Sequence, residues 1–230
     1  MTTIHIDIET CPSQSETVKA GIAAGITPPG NMSKAETISA WEKEKKPALV
    51  EEAWRKTSFD GALGHICVIG AAIDNNDPVT FWQHNWKDSE SDVIAQFYIW
   101  LTNNVTEMTR MGSQWVGHNV IDFDLRFLFQ RSVIHALEPP YFIPRHTNSY
   151  SDRVFDTMTA WAGRRDRISL DKLCRVMGIA GKGSELGGDD IDGCKVWDFV
   201  SAGRIADVAT YCAGDVIRVR EIYKRMTFAR

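Results

Sequence analysis

The sequence predicts an α/β fold built around a mixed sheet, with a helical insertion after the first strand. Short runs rich in Val and Ile alternate with longer segments in which apolar residues recur at helical spacing. Two consecutive early runs, 64–73 and 79–83, are separated by a polar turn, as in an antiparallel strand pair. The segment 10–60, which precedes them, carries turn and helix-start signals instead. Together these patterns indicate one α/β domain.

The first strand is predicted over Thr3–Ile8, where three isoleucines alternate with polar residues and give the strand one apolar face. The helical insertion follows it. Ser33 and Glu36 have the spacing of a capping box, which predicts a helix start. Pro47 should break or restart that helix, because proline lacks the N–H that a helix interior needs.

The remaining elements are predicted from the same periodicities and from the Gly and Pro residues at their ends. In chain order they are strands at Gly64–Ile73 and Val79–Gln83, a helix that starts at 89–92 and continues through Leu101, a strand at Gln114–Gly117, a helix at Phe123–Leu137, a strand at 154–155, a helix at Leu170–Met177, a loop at Ala180–Gly193 and a helix at Ile205–Met226. Strands and helices thus alternate after the insertion.

Charge and cysteine content narrow the function classes. The formal net charge of the 230-residue chain is −4, which argues against binding of nucleic acid through bulk positive charge. Bound divalent cations would offset this charge. The five cysteines include no C-x-x-C pair, which disfavours a zinc ribbon and favours a reducing compartment, the cytoplasm. We find neither signal-peptide features at the N-terminus nor an apolar run near the roughly 20 residues that span a bilayer.

The first motif with chemical potential is Asp7-Ile8-Glu9, at the end of the first strand. Residues i and i+2 of a strand point to the same face, about 6.5 to 7 Å apart. Asp7 and Glu9 therefore project into one space, opposite the isoleucines. An exposed strand face with two solvated acids fits the same pattern.

The second motif, 117–124, runs from a strand end into a helix start. Asp124 would lie near the helix N-terminus, where negative charge is favoured. Asp122 competes for the same role, and a simple N-cap is the alternative interpretation. We prefer Asp124, because Phe123 then begins the apolar face that continues with Phe127 and Leu128.

The third motif is Tyr211-Cys212-Ala213-Gly214-Asp215, within the last helix. The i, i+4 spacing places the phenol of Tyr211 and the carboxylate of Asp215 on one helix face, one turn apart. An ordinary hydrogen-bonded pair fits this spacing equally well.

In combination, the three motifs resemble the DEDD superfamily of 3′–5′ exonucleases, in the subclass whose last motif carries tyrosine (DEDDy). The histidine subclass would place His five residues before the last Asp, where this chain has Thr210. Within the subclass, the chain resembles free-standing phage and bacterial relatives of the proofreading domain of family-B DNA polymerases, from about Ala62 onward. The resemblance implies a ribonuclease-H-like fold and a single exonuclease domain over 1–230, with the helical insertion at 31–58.

The activity implied by this resemblance is metal-dependent hydrolysis at the 3′ end of single-stranded DNA, with release of nucleoside 5′-monophosphates. Two Mg²⁺ or Mn²⁺ ions are implied as cofactors. Clustered carboxylates need such cations, since two unit charges 4 Å apart interact by about 4 kcal/mol at an effective dielectric of 20. An all-oxygen ligand set suits Mg²⁺ or Mn²⁺ better than zinc.

The resemblance also assigns roles to the motif residues. Asp7 would bridge the two metals, Glu9 and Asp215 would complete the metal that activates the water, and Asp124 would serve the second metal. Tyr211 would orient or deprotonate the attacking water. Orientation is the simpler role, because an unperturbed tyrosine pKa near 10 makes a poor base at neutral pH.

Nucleic-acid contacts are expected from Thr10, His118, Asn119 and Lys182, and a structural role is the alternative for His118. Lys182 lies in a Gly-rich loop that fails the P-loop spacing, so it is either a phosphate contact or part of a plain connection. A basic stretch between 164 and 175 is either a phosphate track or a solvated face. Trp41 and Trp54 in the insertion are interpreted as core residues of its helices in preference to base-stacking residues.

Two other functions fit the same residues. One is an exoribonuclease of the same superfamily, since contacts to the 2′-hydroxyl are not readable from sequence. The other is a catalytically silent nucleic-acid-binding module. The silent module is disfavoured, because such a relative should have lost at least one metal carboxylate and all four are present.

Overall fold

The computed structural model describes residues 2–145, 151–163, 165–181, 183 and 191–229. Among these residues, strands form a mixed sheet in the order β3-β2-β1-β4-β5. The β1–β2 and β2–β3 pairs are antiparallel, whereas β1–β4 and β4–β5 are parallel. The strands are β1 (Thr3–Cys11), β2 (His65–Ile73), β3 (Val79–Phe81), β4 (Gln114–Gly117) and β5 (Val154–Asp156). The predicted mixed α/β sheet is confirmed.

Helices cover both faces of this sheet. They are α1 (Glu16–Gly25), α2 (Ala35–Glu44), α3 (Lys46–Arg55), α4 (Glu90–Asn104), α5 (Glu107–Arg110), α6 (Asp124–Ile134), α7 (Thr157–Ala162), α8 (Leu170–Met177), α9 (Val196–Ser201) and α10 (Ile205–Met226). Short 3-10 turns lie at Lys56–Phe59 and Trp86–Asp88. No helix within the described residues is long and apolar enough to cross a membrane.

The two faces of β1 have different partners. Ile4, Ile6 and Ile8 are buried in a core formed with α4 and α6, as the alternation predicts. Each such fully buried side chain contributes about 1.5–3 kcal/mol relative to exposure. The opposite face, which carries Asp7, lies under the long helix α10. Helix α10 packs closely on Gly70, where an added Cβ would lie 2.8 Å from Cys212 Sγ.

The helical segment after β1 is longer than predicted. Helices α1 to α3 and the following 3-10 turn occupy 16–59, so the segment begins before residue 31. Helix α1 has no buried residues. Trp41 and Trp54 are buried, which confirms that they are core residues. Trp54 Nε1 also donates a hydrogen bond to the Ser13 carbonyl at 2.8 Å.

The ends of the helices in this segment partly match expectation. Helix α3 restarts with Pro47 in its first turn, as predicted, because the missing N–H has no intrahelical partner there. The predicted capping box at Ser33 and Glu36 is wrong. The N-cap of α2 is Lys34, without a side-chain cap. Glu36 is then the second helical residue, whereas a capping box requires it at the third.

Most later elements lie close to their predicted bounds. Strand β4 and helices α8 and α10 match them, and α8 ends at Gly178, which has a left-handed φ of 63°. Helix α6 begins and ends slightly inside the predicted range 123–137. The short helices α5, α7 and α9 were not predicted. Helix α7 depends on Asp156, whose carboxylate accepts hydrogen bonds from the Met158 and Thr159 amides.

Candidate active site

Asp7 and Glu9 lie two residues apart on β1 and point toward α10, as the alternation predicts. One carboxylate oxygen of each residue and the Cys212 sulfur all lie within 4.8 Å of one another. Glu9 is only 7% exposed and Asp7 is half-buried, so the alternative of a solvated strand face is wrong. Strand β1 therefore presents two carboxylates to an enclosed space.

Helix α10 brings Tyr211 and Asp215 to the same space. Both side chains are buried, and Asp215 is 1% exposed. Burial raises the pKa of the Tyr211 phenol above its usual 10, and the Glu9 and Asp215 carboxylates raise this pKa further. The phenol is therefore protonated at neutral pH and can donate a hydrogen bond.

Asp124 reaches the cluster from the first turn of α6. Its Oδ1 accepts a hydrogen bond from the Ile8 amide at 3.0 Å, in the middle of the first motif. The Ile8 amide is available to Asp124 because β4 pairs with β1 only over Thr3–His5. Helix α6 occupies the rest of that edge of β1. Burial, and then the charge of Asp7, hold the pKa of the Asp124 carboxyl well above its usual 3.8. Asp122, the competing candidate, is exposed.

Cys212 joins the cluster although the sequence did not suggest it. Its Sγ lies 3.4 Å from Asp7 Oδ2 and 3.5 Å from the Asp7 carbonyl oxygen. Burial raises the pKa of this thiol, and the charges of Asp7 and Glu9 raise it further. The thiol is thus neutral and donates to Asp7. The only sign of this in the sequence is that Cys212 follows Tyr211. Thiols are not typical ligands of hard cations, so a cysteine there does not suggest a metal site.

Arg218 holds Asp215 from one turn further along α10. Its guanidinium is buried and donates to Asp215 Oδ1 at 3.1 Å. It also donates to the carbonyls of Ala180 at 3.1 Å and Gly181 at 2.5 Å. Arg218 thereby joins the carboxylate cluster to the chain after α8. The i, i+3 spacing from Asp215 was the only sequence signal for this contact.

Asp156 at the end of β5 orders the loop that leads to Asp124. Its carboxylate accepts hydrogen bonds from the amides of Asn119 at 3.0 Å and Ile121 at 3.2 Å. These bonds stabilise Asn119 in the left-handed region, at a φ of 63°. Sequence reasoning missed Asp156, because its partners come from another strand end.

Two of the expected nucleic-acid contacts, Thr10 and His118, have structural partners of their own. A β-bulge between Glu9 and Thr10 interrupts the strand register, and the Thr10 hydroxyl donates to the Ser58 carbonyl at 2.7 Å. The His118 ring lies 2.9 Å from both Thr157 Oγ1 and the Ile168 carbonyl. Lys182 lies outside the described residues.

The donor set fits divalent cations. Asp7 and Glu9 supply oxygen atoms close together, and Asp124 and Asp215 approach from the two flanking helices. Carboxylate oxygens are the ligands that Mg²⁺ and Mn²⁺ prefer. A single neutral thiol does not make a zinc site, which typically has several Cys or His ligands.

Comparison of the whole chain with solved structures identifies the fold. The family B DNA polymerase from the hyperthermophilic archaeon Pyrobaculum calidifontis is similar, with a TM-score of 0.58 and 14% sequence identity. The match covers 99% of this chain and 24% of the polymerase, so the chain spans about a quarter of the polymerase's length. This likeness confirms the expected ribonuclease-H-like architecture.

Comparison of sequences identifies the family. No curated protein matches the chain significantly. The family model that matches is described as a predicted 3′–5′ exonuclease related to the exonuclease domain of PolB, and it covers residues 59–230. Asp124, Tyr211 and Asp215 fall within this range, whereas Asp7 and Glu9 precede it. The chain therefore belongs to this family of 3′–5′ exonucleases related to the exonuclease domain of PolB.

Proposed function

We propose that the chain hydrolyses single-stranded DNA from its 3′ end and releases nucleoside 5′-monophosphates by a two-metal mechanism with Mg²⁺ or Mn²⁺. The observation that carries this proposal is the convergence of Asp7 and Glu9 on β1 with Asp215 and Tyr211 on α10. We take residues 1–230 as a single exonuclease domain, in which the helical segment after β1 is an insertion.

Asp7 is the proposed ligand shared by both cations. Its charge raises the pKa of Asp124 on one side, and it also raises those of Cys212 and Tyr211 on the other. Asp7 is thus close enough to act on Asp124 and on the side chains of α10. Glu9 and Asp215 would complete one cation site, and Asp124 would serve the other.

The side chains around the proposed cations bind and orient the reactants. Bound divalent cations would supply the positive charge that lowers the pKa of the attacking water and offsets charge on the phosphodiester. A tyrosine with its ordinary pKa near 10 is a poor base at neutral pH, so the Tyr211 hydroxyl would orient the water. Arg218 would keep Asp215 in position for its cation.

The remaining proposed contacts surround the 3′ end of the substrate. Thr10 follows Glu9 directly, and Asn119 Oδ1 is buried without a hydrogen-bond partner in the described part of the chain. We propose that His118 supports this loop and that Lys182 contacts a phosphate. We also propose a reducing compartment, the cytoplasm, since the five cysteines include no C-x-x-C pair.

Labelled oligonucleotides test this function. DNA and RNA strands labelled at the 5′ end are incubated with Mg²⁺, Mn²⁺ or EDTA. We expect a ladder that shortens from the 3′ end of DNA, with the cations and not with EDTA. A ladder on RNA alone would favour the exoribonuclease, and binding without cleavage of either strand would favour the silent module. Internal cuts, or cleavage that persists in EDTA, would contradict the proposal.

A further inference from the structure

A cavity of about 500 Å³ lies between the chain that follows α6 and the start of β5. Arg145, Ser151 and Arg153 contribute polar walls, and Tyr141 and Ile143 contribute apolar ones. This volume is typical of sites that hold a small molecule, which occupy about 300–1,000 Å³. None of the roles derived above uses this cavity.

The cavity is remote from the carboxylate cluster. Strand β4 is parallel to both β1 and β5, and the register places Arg153 level with Gln114 and Thr3. Asp7 follows Thr3 after four further residues of β1, which corresponds to about 13 Å at about 3.3 Å per residue. A ligand in the cavity would therefore not touch the proposed cations.

The two arginines that line the cavity have no carboxylate partner among the described residues. The Arg145 guanidinium donates to the Pro139 carbonyl at 3.1 Å. The Arg153 guanidinium donates to the Phe142 carbonyl at 2.6 Å. Arg153 Nε is buried and makes no hydrogen bond within the described part of the chain, although buried polar groups normally have a partner. Two cations, one with an unused donor, thus border the cavity.

This arrangement favours an anion with several acceptor oxygens. A phosphomonoester carries about −1.5 to −2 charges at pH 7 and three acceptor oxygens, and planar guanidinium groups bind it with paired hydrogen bonds. Ser151 Oγ accepts a hydrogen bond from the Arg153 amide at 3.3 Å, so its own proton can be donated to a ligand. Among the described residues, exposed Glu138 is the one acid that lines the cavity, against two arginines.

The apolar walls fit a planar organic group. The Tyr141 hydroxyl donates to Glu107 at 2.9 Å, and its ring meets the Phe142 ring edge-on at 5.7 Å. These contacts fix the Tyr141 ring, which is still 56% exposed and can support a heterocycle, as aromatic side chains do for bases. A bare phosphate would fill only a small part of the cavity, so there is room for a ring beside Tyr141.

We propose that this cavity binds a phosphomonoester with a planar organic group, the chemistry of a nucleoside 5′-monophosphate, and that Arg145 and Arg153 hold the phosphate. The site goes beyond the proposed function, because it needs neither cations nor cleavage. Two sources share this chemistry. One is the free monophosphate that the proposed reaction would release, and the other is the 5′-phosphate end of a strand.

Calorimetric titration of the full chain with deoxyadenosine 5′-monophosphate in EDTA tests the inference. Without divalent cations, the carboxylates around Asp7 repel a phosphate, so the proposed active site does not contribute. We expect saturable binding, weaker binding of inorganic phosphate and none of deoxyadenosine. Arg145→Gln and Arg153→Gln should each weaken binding of the monophosphate by about 10- to 100-fold, the range for a hydrogen bond to a charged group.

Matched variants separate phosphate binding from the fold. Glu138→Gln removes the acid from the rim and should tighten binding, which a purely structural role of the cavity would not produce. Arg126→Gln removes an exposed arginine of α6 that lies outside the cavity, and it should match wild type. Because Arg153 also bonds a backbone carbonyl, Arg145→Gln decides the outcome if Arg153→Gln fails to fold.

Competition distinguishes the two sources. Displacement of the monophosphate by a 5′-phosphorylated oligonucleotide, but not by its unphosphorylated form, would support the site with a strand end as its ligand. Displacement by neither would support the site with the free nucleotide as its ligand. Absence of monophosphate binding, equal binding by wild type and folded Arg145→Gln, or equal binding of deoxyadenosine or inorganic phosphate would overturn the inference. Intact monophosphate binding without any 3′ cleavage would overturn the proposed function alone.

Discussion

Asp124 shows the electrostatic cost of the site at the scale of a single residue. Burial and the charge of Asp7 hold its pKa well above the usual 3.8 when no cation is bound. In the unfolded chain the carboxyl ionises near pH 3.8, whereas in the folded protein it retains its proton to higher pH. Below pH 3.8 this carboxyl therefore does not reduce the stability of the folded protein. As the pH rises from 3.8 toward the higher pKa of the folded state, the protein loses stability.

Asp124→Asn should therefore stabilise the metal-free protein at neutral pH. The amide oxygen can still accept the hydrogen bond from the Ile8 amide, and the ionisation penalty disappears. Each kcal/mol gained raises the melting temperature by about 2–4 °C in a chain of this size. Thermal unfolding in EDTA should show a larger gain at pH 7 than at pH 5. Exposed Asp122 gives the control, Asp122→Asn, and an unchanged or lower melting temperature for Asp124→Asn at pH 7 would refute the assignment.

Tyr211→Phe removes one hydroxyl and keeps the ring, so α10 should pack as before. If the hydroxyl orients the water, the single-turnover rate should fall by about 10²- to 10⁴-fold at most. Binding of a saturating oligonucleotide in Ca²⁺ should remain close to wild type. Tyr223→Phe on the same helix removes a hydroxyl that bonds Gln114, and it should leave the rate unchanged. An unaltered single-turnover rate in Tyr211→Phe would show that Tyr211 only packs α10 and does not orient the water.

Arg218→Lys tests whether Arg218 positions Asp215. Lysine keeps the charge but lacks the planar fork that reaches Asp215, Ala180 and Gly181 together. Partners of metal ligands typically contribute 10- to 100-fold to affinity, so we expect weaker Mn²⁺ binding by about that factor. The readout is the Mn²⁺ concentration that raises the melting temperature halfway. Arg220→Lys, on the same helix, should match wild type, and equal Mn²⁺ affinity in both variants would count against the positioning role.

Single residues of the site differed in how far the sequence could place them. Strand alternation placed Asp7 and Glu9 on one face and helical spacing placed Asp215 beside Tyr211, but only the combination of the motifs marked these residues as a site. Cys212, Asp156 and Arg218 could not be recognised, because each acts through a partner distant in sequence or through a backbone group. The sequence likewise does not show that Asp122 is exposed, because this depends on how α6 packs on β1.

At the scale of elements, the site depends on the close approach of α10 to the sheet. Asp7 pairs with Gly70 on β2, and Gly70 faces Cys212 and Val216 on α10. The absence of a side chain at this glycine lets the helix that carries Tyr211 lie directly above β1. The sequence predicted the bounds of α10 but not this contact, which requires the register of the β1–β2 pair.

Gly70→Ala should therefore disturb both stability and activity. Its Cβ would lie 2.8 Å from Cys212 Sγ and 3.1 Å from Val216 Cγ2, and such overpacking costs about 1–3 kcal/mol. We expect a lower melting temperature and slower cleavage, both partly restored by a second change, Cys212→Ala. Gly21→Ala in α1 has open space around its Cβ and should stabilise slightly. A wild-type melting temperature for Gly70→Ala would show that α10 is free to shift.

At the scale of the whole molecule, the sheet order brings three distant motifs together. The parallel β1–β4 pair places the start of α6 beside β1, and α10 returns across the opposite face. The alternation of strands and helices was sufficient to predict this class of fold. The helical segment was harder to predict, because α1 buries no residues.

The proposed function requires that the carboxylates around Asp7 bind the cations with which the protein would cleave DNA from its 3′ end. The most direct measurement compares wild type, Asp7→Asn and the exposed control Asp122→Asn on 5′-labelled single-stranded DNA over a range of Mg²⁺ concentrations. We predict 3′ shortening by wild type and Asp122→Asn, and none by a folded Asp7→Asn at any Mg²⁺ concentration. Wild-type cleavage by purified Asp7→Asn would contradict the claim.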